Sequence, residues 1–192
     1  MSTLVILLRA VSLLAFAGPM LLIGASRHRW RPKTRGRRVG GGRAPLVANL
    51  GAFGLFFTLL AVYSASSEAS ATLPLALLGC LFALAGAALV LISRAELGSA
   101  WSLVPKADQG TGLVTTGPYR LARHPIYLGL ALLALGEALA FANWPAFLIV
   151  LFGIVPTFAW RARMEENLLS RTFGDRYELY RQRTKMIIPY LL

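Results

Sequence analysis

One cysteine, two histidines and eight acidic residues are all that this chain of 192 residues has of the groups that usually perform soluble enzyme chemistry. The lone Cys80 lies inside an apolar stretch. It rules out a disulfide within the chain and argues against a thiol-ligated metal. His28 and His124 are far apart, and no His, Cys and Asp cluster stands at ligand spacing, so a metal enzyme is not expected. Glycine is plentiful, but the run Gly110-Thr111-Gly112-Leu113-Val114-Thr115-Thr116-Gly117 lacks the GxGxxG spacing and no βαβ pattern surrounds it. A Rossmann dinucleotide site is therefore excluded. Charged residues make up 15% of the chain against 56% hydrophobic, and the mean hydropathy is positive. Such a chain is too apolar for an ordinary soluble domain.

What is present is a series of long hydrophobic runs. A hydrocarbon core about 30 Å thick needs roughly 20 apolar residues of helix. The runs at about 3–25, 45–65, 73–93, 126–142 and 145–160 predict an all-α, multi-pass integral membrane protein with about five transmembrane helices and a cytoplasmic helical tail. All of residues 1–192 form one membrane-embedded domain on this reading. The net charge of +12 is strongly partitioned. Eight Lys and Arg fall between Arg27 and Arg43, four between Arg94 and Arg123, and seven from Arg161 onward. The loops near Glu68 and Asn143 hold none. Because Lys and Arg accumulate in cytoplasmic loops, the alternation places the N-terminus outside and the C-terminus inside. The composition points to a bacterial inner membrane. Ala15-Phe16-Ala17 resembles a signal cleavage site, but the basic cluster that follows resists translocation, so a retained first helix is expected. The basic run 27–43 has no hydrophobic periodicity and reads as a solvated loop facing anionic lipid, each charge contributing about 1 kcal/mol near a negative leaflet. Nucleic acid is not an expected partner, and Trp30 is expected at the interface.

Polar residues inside or at the lip of a span need a reason to be there. Arg9 and Glu137 lie at similar predicted depth, and pairing between them is expected. Asn143-Trp144-Pro145 reads as the tight turn of a helical hairpin, which brings the far ends of the fourth and fifth spans together. At those ends stand Gly117-Pro118-Tyr119-Arg120-Leu121-Ala122-Arg123-His124-Pro125-Ile126-Tyr127 and, on the continuing fifth helix, Arg161, Glu165 and Glu166. Arg161 and Glu165 share a helix face at i,i+4. His124, Tyr127, Arg161 and Glu165 are thus expected around one pocket. Phe173-Gly174 should break the helix, and Leu169, Phe173, Tyr177 and Tyr180 read as an aromatic side for the membrane surface. Ile187-Ile188-Pro189-Tyr190 should dock.

The segments LVTTGPYRLARHPIYLG (113–129), RARMEE (161–166) and FGDRYELYRQRT ending in IIPY (173–190) resemble the isoprenylcysteine carboxyl methyltransferase family, with phospholipid N-methyltransferases as wider relatives. The resemblance covers about the C-terminal half, 94–192, and the five spans match shorter, prokaryotic-type members. It implies methyl transfer from S-adenosylmethionine to a lipophilic acceptor, with S-adenosylhomocysteine as product. Carried to matching positions, cofactor contacts fall on Thr111, Gly112, Leu113, Val114, Tyr119, His124, Pro125, Ile126, Tyr127 and Glu165, with Glu166 completing the paired acids and Lys106 in loose register. Arg161 matches a substrate-binding arginine. Arg161, Glu165 and His124 are the candidate catalytic groups.

Methyl transfer from a sulfonium is an in-line displacement, and well-held reactants recover about 7–11 kcal/mol of its barrier. A carboxylate acceptor needs only a cation such as Arg161 to hold it, whereas an amine, phenol or thiol needs a base, for which Glu165, Glu166 or His124 is available. The resemblance implies a carboxylate of isoprenylcysteine type as acceptor, on a prenylated substrate or a lipophilic small molecule; a small lipid, a quinone-like phenol and an isoprenoid acid remain open beside it, and membrane lipids are implied neighbours. Glu165 is expected to be held by Arg161, by cofactor hydroxyls or by both. Two rivals stand beside this reading. Membrane sterol or isoprenoid reductases that use NADPH share an Arg-His-Pro-x-Tyr helix start, and a non-catalytic scaffold could keep the fold.

Overall fold

In hydrocarbon an apolar run has only its own backbone as hydrogen-bond partner, so it must be helical. The computed structural model describes the backbone of 3–29, 37–38, 43–66, 72–98, 106–107 and 112–188, and the side chains of 3–22, 44–63, 72–98 and 112–188. Thr111, Trp30, the side chains of the 27–43 loop and of Lys106, and residues 189–192 lie outside these. The helices are α1 (Thr3–Arg29), α2 (Arg43–Ser66), α3 (Leu73–Leu97), α4 (Pro125–Ala140), α5 (Trp144–Ile149), α6 (Val155–Phe173) and α7 (Asp175–Arg183). A turn of π-helix, Val150–Ile154, fuses α5 to α6. Four segments, Thr3–Leu22, Ala44–Tyr63, Leu73–Leu97 and Trp144–Phe173, are long and apolar enough to cross a membrane, and α4 is a shorter apolar helix. This is the helical multi-pass architecture read from the hydrophobic runs. It has one addition: β1 (Arg37–Arg38) pairs antiparallel with β2 (Lys106–Ala107), tying the α1–α2 loop to the α3–α4 connection.

The fifth crossing is much longer than the 145–160 run, because nothing after Trp160 breaks it before Gly174, whose φ is +54°. The π turn sits immediately before Pro156. Proline has no N–H for the carbonyl four residues back, and widening the preceding turn relieves the clash. α4 has 16 residues and rises only about 24 Å at 1.5 Å per residue. It falls short of a bilayer about 30 Å thick. His124 stands at one end of α4 and the Asn143 turn at the other. Asn143 caps α5 by accepting from Ala146 N at 2.9 Å and donates to Leu59 O on α2 at 3.1 Å.

α4 is positioned by α3. Gly79 and Gly86 on α3 interlock with Gly136 and Gly129 on α4, so the two backbones touch. A Cβ at Gly86 would lie 2.6 Å from Gly129 O, and one at Gly136 would lie 2.6 Å from Ala83 N. Without a hydrophobic driving force between helices in lipid, such close contact supplies the association energy. Phe158 on α6 stacks on Tyr127 of α4 at 5.0 Å and meets Phe53 of α2 at 6.0 Å, which links α6 and α2 to the same core.

Two expectations are corrected. Glu137 is fully buried and its Oε2 meets Ser12 Oγ at 3.2 Å, while Arg9 Nε donates to Ala140 O at 3.0 Å and its guanidinium lies over the Phe141 ring at 4.9 Å. The two groups therefore serve different partners, because depth along a helix does not determine the direction a side chain leaves it. Tyr177 is fully buried and Tyr180 donates to Tyr119 O at 2.7 Å, so the aromatic side of α7 faces the protein instead of lipid. Of the segment expected to dock after α7, Ile187 enters the core and Lys185 bridges to Ala122, whereas Ile188 is exposed and Pro189 and Tyr190 lie outside the described residues.

Replacing Gly136 by alanine should lower stability in detergent by about 1–3 kcal/mol through overpacking, read as a fall in the thermal unfolding midpoint. Gly51→Ala, where a Cβ meets nothing within 4 Å, should leave the midpoint nearly unchanged.

Candidate active site

The lip begins where Gly117, with φ +56°, turns the chain. Glycine is needed there on two counts, since a Cβ would also stand 3.1 Å from the Glu96 carboxyl. Thr116 Oγ1 donates to the same carboxyl, fastening the lip to the end of α3. The Gly117–Arg120 turn buries Tyr119, whose hydroxyl donates to Ser93 O at 3.4 Å. Pro125 then starts α4, where its missing N–H costs nothing.

Tyr127 projects from the first turn of α4 between two flat neighbours. His124 stacks on it at 5.4 Å and 7°, Phe158 at 5.0 Å and 9°. Held in this way, Tyr127 donates to Glu165 Oε1 at 2.5 Å. Arg161 Nε donates to the same oxygen at 3.1 Å, with the guanidinium carbon 5.6 Å from the Tyr127 ring centre. The other carboxylate oxygen, Glu165 Oε2, faces His124 Nδ1 at 3.6 Å. Glu166 Oε1 takes Arg123 Nε at 2.6 Å and lies 3.4 Å from His124 Nε2. That last approach does not make a hydrogen bond, and His124 Nε2 has no hydrogen-bond partner among the described residues. Each ring nitrogen of His124 thus faces a carboxylate.

His124, Tyr127, Arg161 and Glu165 are therefore brought together as the sequence suggested, Glu166, implied by the resemblance, joins them through His124, and Glu165 is held by Arg161. Glu165 is the most accessible of them, with 19% of its side chain exposed against 6–11% for His124, Arg161 and Glu166. Tyr119, Pro125 and Ile126 line the same lip, the first two buried and the third half-buried. Gly112, exposed at φ +73°, and half-buried Leu113 and Val114 lead into it, and among the described residues they make no hydrogen bond to the acid pair. Thr111 lies outside the described residues.

Sequence reasoning left Arg123, Glu96 and Thr184 without a role. Arg123 had a signal: it is the second cation of the lip and matches the second acid, Glu166. Glu96 and Thr184 had none, being joined to the lip only through the fold. Burial, with Tyr180 and Glu165 nearby, pushes the Tyr119 hydroxyl far above its usual range. Burial likewise raises Tyr177, and raises Tyr180 to about 12. These phenols remain protonated donors at neutral pH, as the bond from Tyr180 to Tyr119 O requires.

Several known proteins are similar to this chain. The sequence model of the phospholipid methyltransferase family matches residues 75–176. The protein-S-isoprenylcysteine O-methyltransferase of Saccharomyces cerevisiae is 32% identical over 116 residues, covering 59% of this chain and 48% of the relative. The nickel-cobalt-cadmium resistance protein NccN of Alcaligenes xylosoxydans xylosoxydans is 32% identical over 103 residues, covering 52% of this chain and 47% of the relative. The chain spans about half the length of the curated relatives it matches. In fold it is similar to the eukaryotic intramembrane Ras methyltransferase ICMT, with a TM-score of 0.59 at 22% identity, covering 80% of this chain and 55% of that one. Since the family match extends over more than half of the chain and includes both the lip and the acid pair, the protein belongs to the phospholipid methyltransferase family.

Proposed function

We propose that this protein is an intramembrane methyltransferase that moves a methyl group from S-adenosylmethionine to a lipophilic acceptor, a carboxylate of the isoprenylcysteine type. The observation that carries this is the convergence of Arg161, Tyr127 and His124 on Glu165 at the start of α4. The donor set fits the cofactor: it combines carboxylates for an ammonium or ribose hydroxyls with flat aromatic surface for a base and a cation. Tyr119, His124, Tyr127, Glu165 and Glu166 would hold it, with Thr111–Val114 and the start of α4 at its edge. When bound, it supplies an electrophilic methyl group on a sulfonium.

The protein's part is orientation and exclusion of water. Tyr127 and Arg161 fix one Glu165 oxygen, which leaves the second toward His124 and the exposed side. Arg161, anchored through Nε, offers the planar geometry that suits a carboxylate acceptor, and such an acceptor is already a nucleophile. No base is then required. The names of the isoprenylcysteine relatives support that acceptor class. In sequence, every Lys and Arg except Arg9 falls within 27–43, within 94–123 or after Trp160, and the lip lies in the second of these, so by the positive-inside rule the site opens to the cytoplasm of a bacterial inner membrane, with the N-terminus outside.

Detergent-purified protein should bind S-adenosylhomocysteine in calorimetry, and Glu165→Ala or His124→Ala should each weaken binding at least about tenfold, or 1.4 kcal/mol. Binding of NADPH instead would make the protein a reductase, and binding of neither would favour a scaffold. Arg161→Lys keeps the charge and loses the fork. It should raise KM for a prenylcysteine acceptor about tenfold while cofactor affinity changes less than about threefold.

A further inference from the structure

Arg123 is 9% exposed in its side chain and touches three parts of the fold at once. Its Nε meets Glu166 Oε1 on α6 at 2.6 Å, and its Nη1 donates to Thr184 O and, at 3.1 Å, to Arg181 O. Those carbonyls end α7, where the last turn leaves acceptors without helical partners and a cation is favoured. The backbone beside it repeats the connection: Arg123 N donates to Lys185 O at 2.8 Å and His124 N to Met186 O at 2.9 Å. Glu166, fixed by Arg123, faces His124 Nε2. Seating of the chain after α7 and placement of the acid pair thus pass through one guanidinium.

We propose that Arg123 is a positioning residue for this site: it couples the seating of residues 181–188 on the lip to the placement of Glu166 against His124. The inference rests on the methyl-transfer reading for what the site binds, but not for the seating itself. Removing the guanidinium leaves Glu166 with His124 alone and takes from the Arg181 and Thr184 carbonyls the donor that ties them to the lip. Both the tail and the acid should then move. Lysine can keep charge beside Glu166 but cannot reach two directions with a planar fork.

The test uses the full chain in detergent, with S-adenosylhomocysteine affinity and the initial rate of tryptic cleavage after Arg181, Arg183 and Lys185 as separate readouts. Arg123→Gln should weaken binding at least about tenfold, a loss of 1.4 kcal/mol, and speed tail cleavage several-fold. Arg123→Lys should bring affinity back to within about threefold of the unaltered protein while the tail stays cleavable. Combining Arg123→Gln with Glu166→Gln should weaken binding no further than the worse single change, since the two act in series. Additive losses, or unchanged affinity in Arg123→Gln, would overturn the coupling. Should the unaltered protein fail to bind S-adenosylhomocysteine, the methyl-transfer reading falls. The cleavage comparison still decides the seating, which an unchanged rate would refute.

Discussion

Two adjacent carboxylates, Glu165 and Glu166, leave α6 side by side, and the surrounding structure is arranged so that neither stands without positive or hydrogen-bonding company. Isolated, each would carry a desolvation cost of several kcal/mol. Glu165 takes Arg161 from its own helix and Tyr127 from α4, and Glu166 takes Arg123 from the lip. His124 lies between the pair. The lip, α4, α6 and the tail are held together at this point by charge, where lipid gives helices little reason to associate.

Precision at the lip depends on α4 being rigid and correctly placed. The glycine contacts with α3 set its distance, and the Asn143 cap closes its far end. Tyr127, clamped between His124 and Phe158, carries that rigidity to Glu165. Groups that must stay within tenths of an ångström are thus mounted on helices, which suits a reaction that gains mainly from orientation.

The helical multi-pass class, the α4–α5 hairpin, the Gly174 break and the Arg161–Glu165 pair were legible because each follows from local chemistry: hydrophobic length, turn residues, a residue without Cβ, and i,i+4 spacing. The azimuth of side chains was not. Arg9 and Glu137 share a depth but leave their helices toward different neighbours. Tyr177 reads equally well as a membrane-facing or a core residue until the tail folds back on the lip. Pro156 marks a disturbance of the helix but does not say whether the chain kinks, breaks or widens, so the π turn before it was not legible. Contacts such as Thr116 with Glu96 and Arg123 with Thr184 join residues that only the fold brings together.

The most direct test is transfer of label from methyl-tritiated S-adenosylmethionine into a synthetic S-prenylated cysteine with a free carboxylate, followed by mild base. Volatile, base-released label would show a methyl ester, the predicted result. Label that resists base would contradict a carboxylate acceptor, and absence of transfer by protein that is folded would contradict methyl transfer to that acceptor.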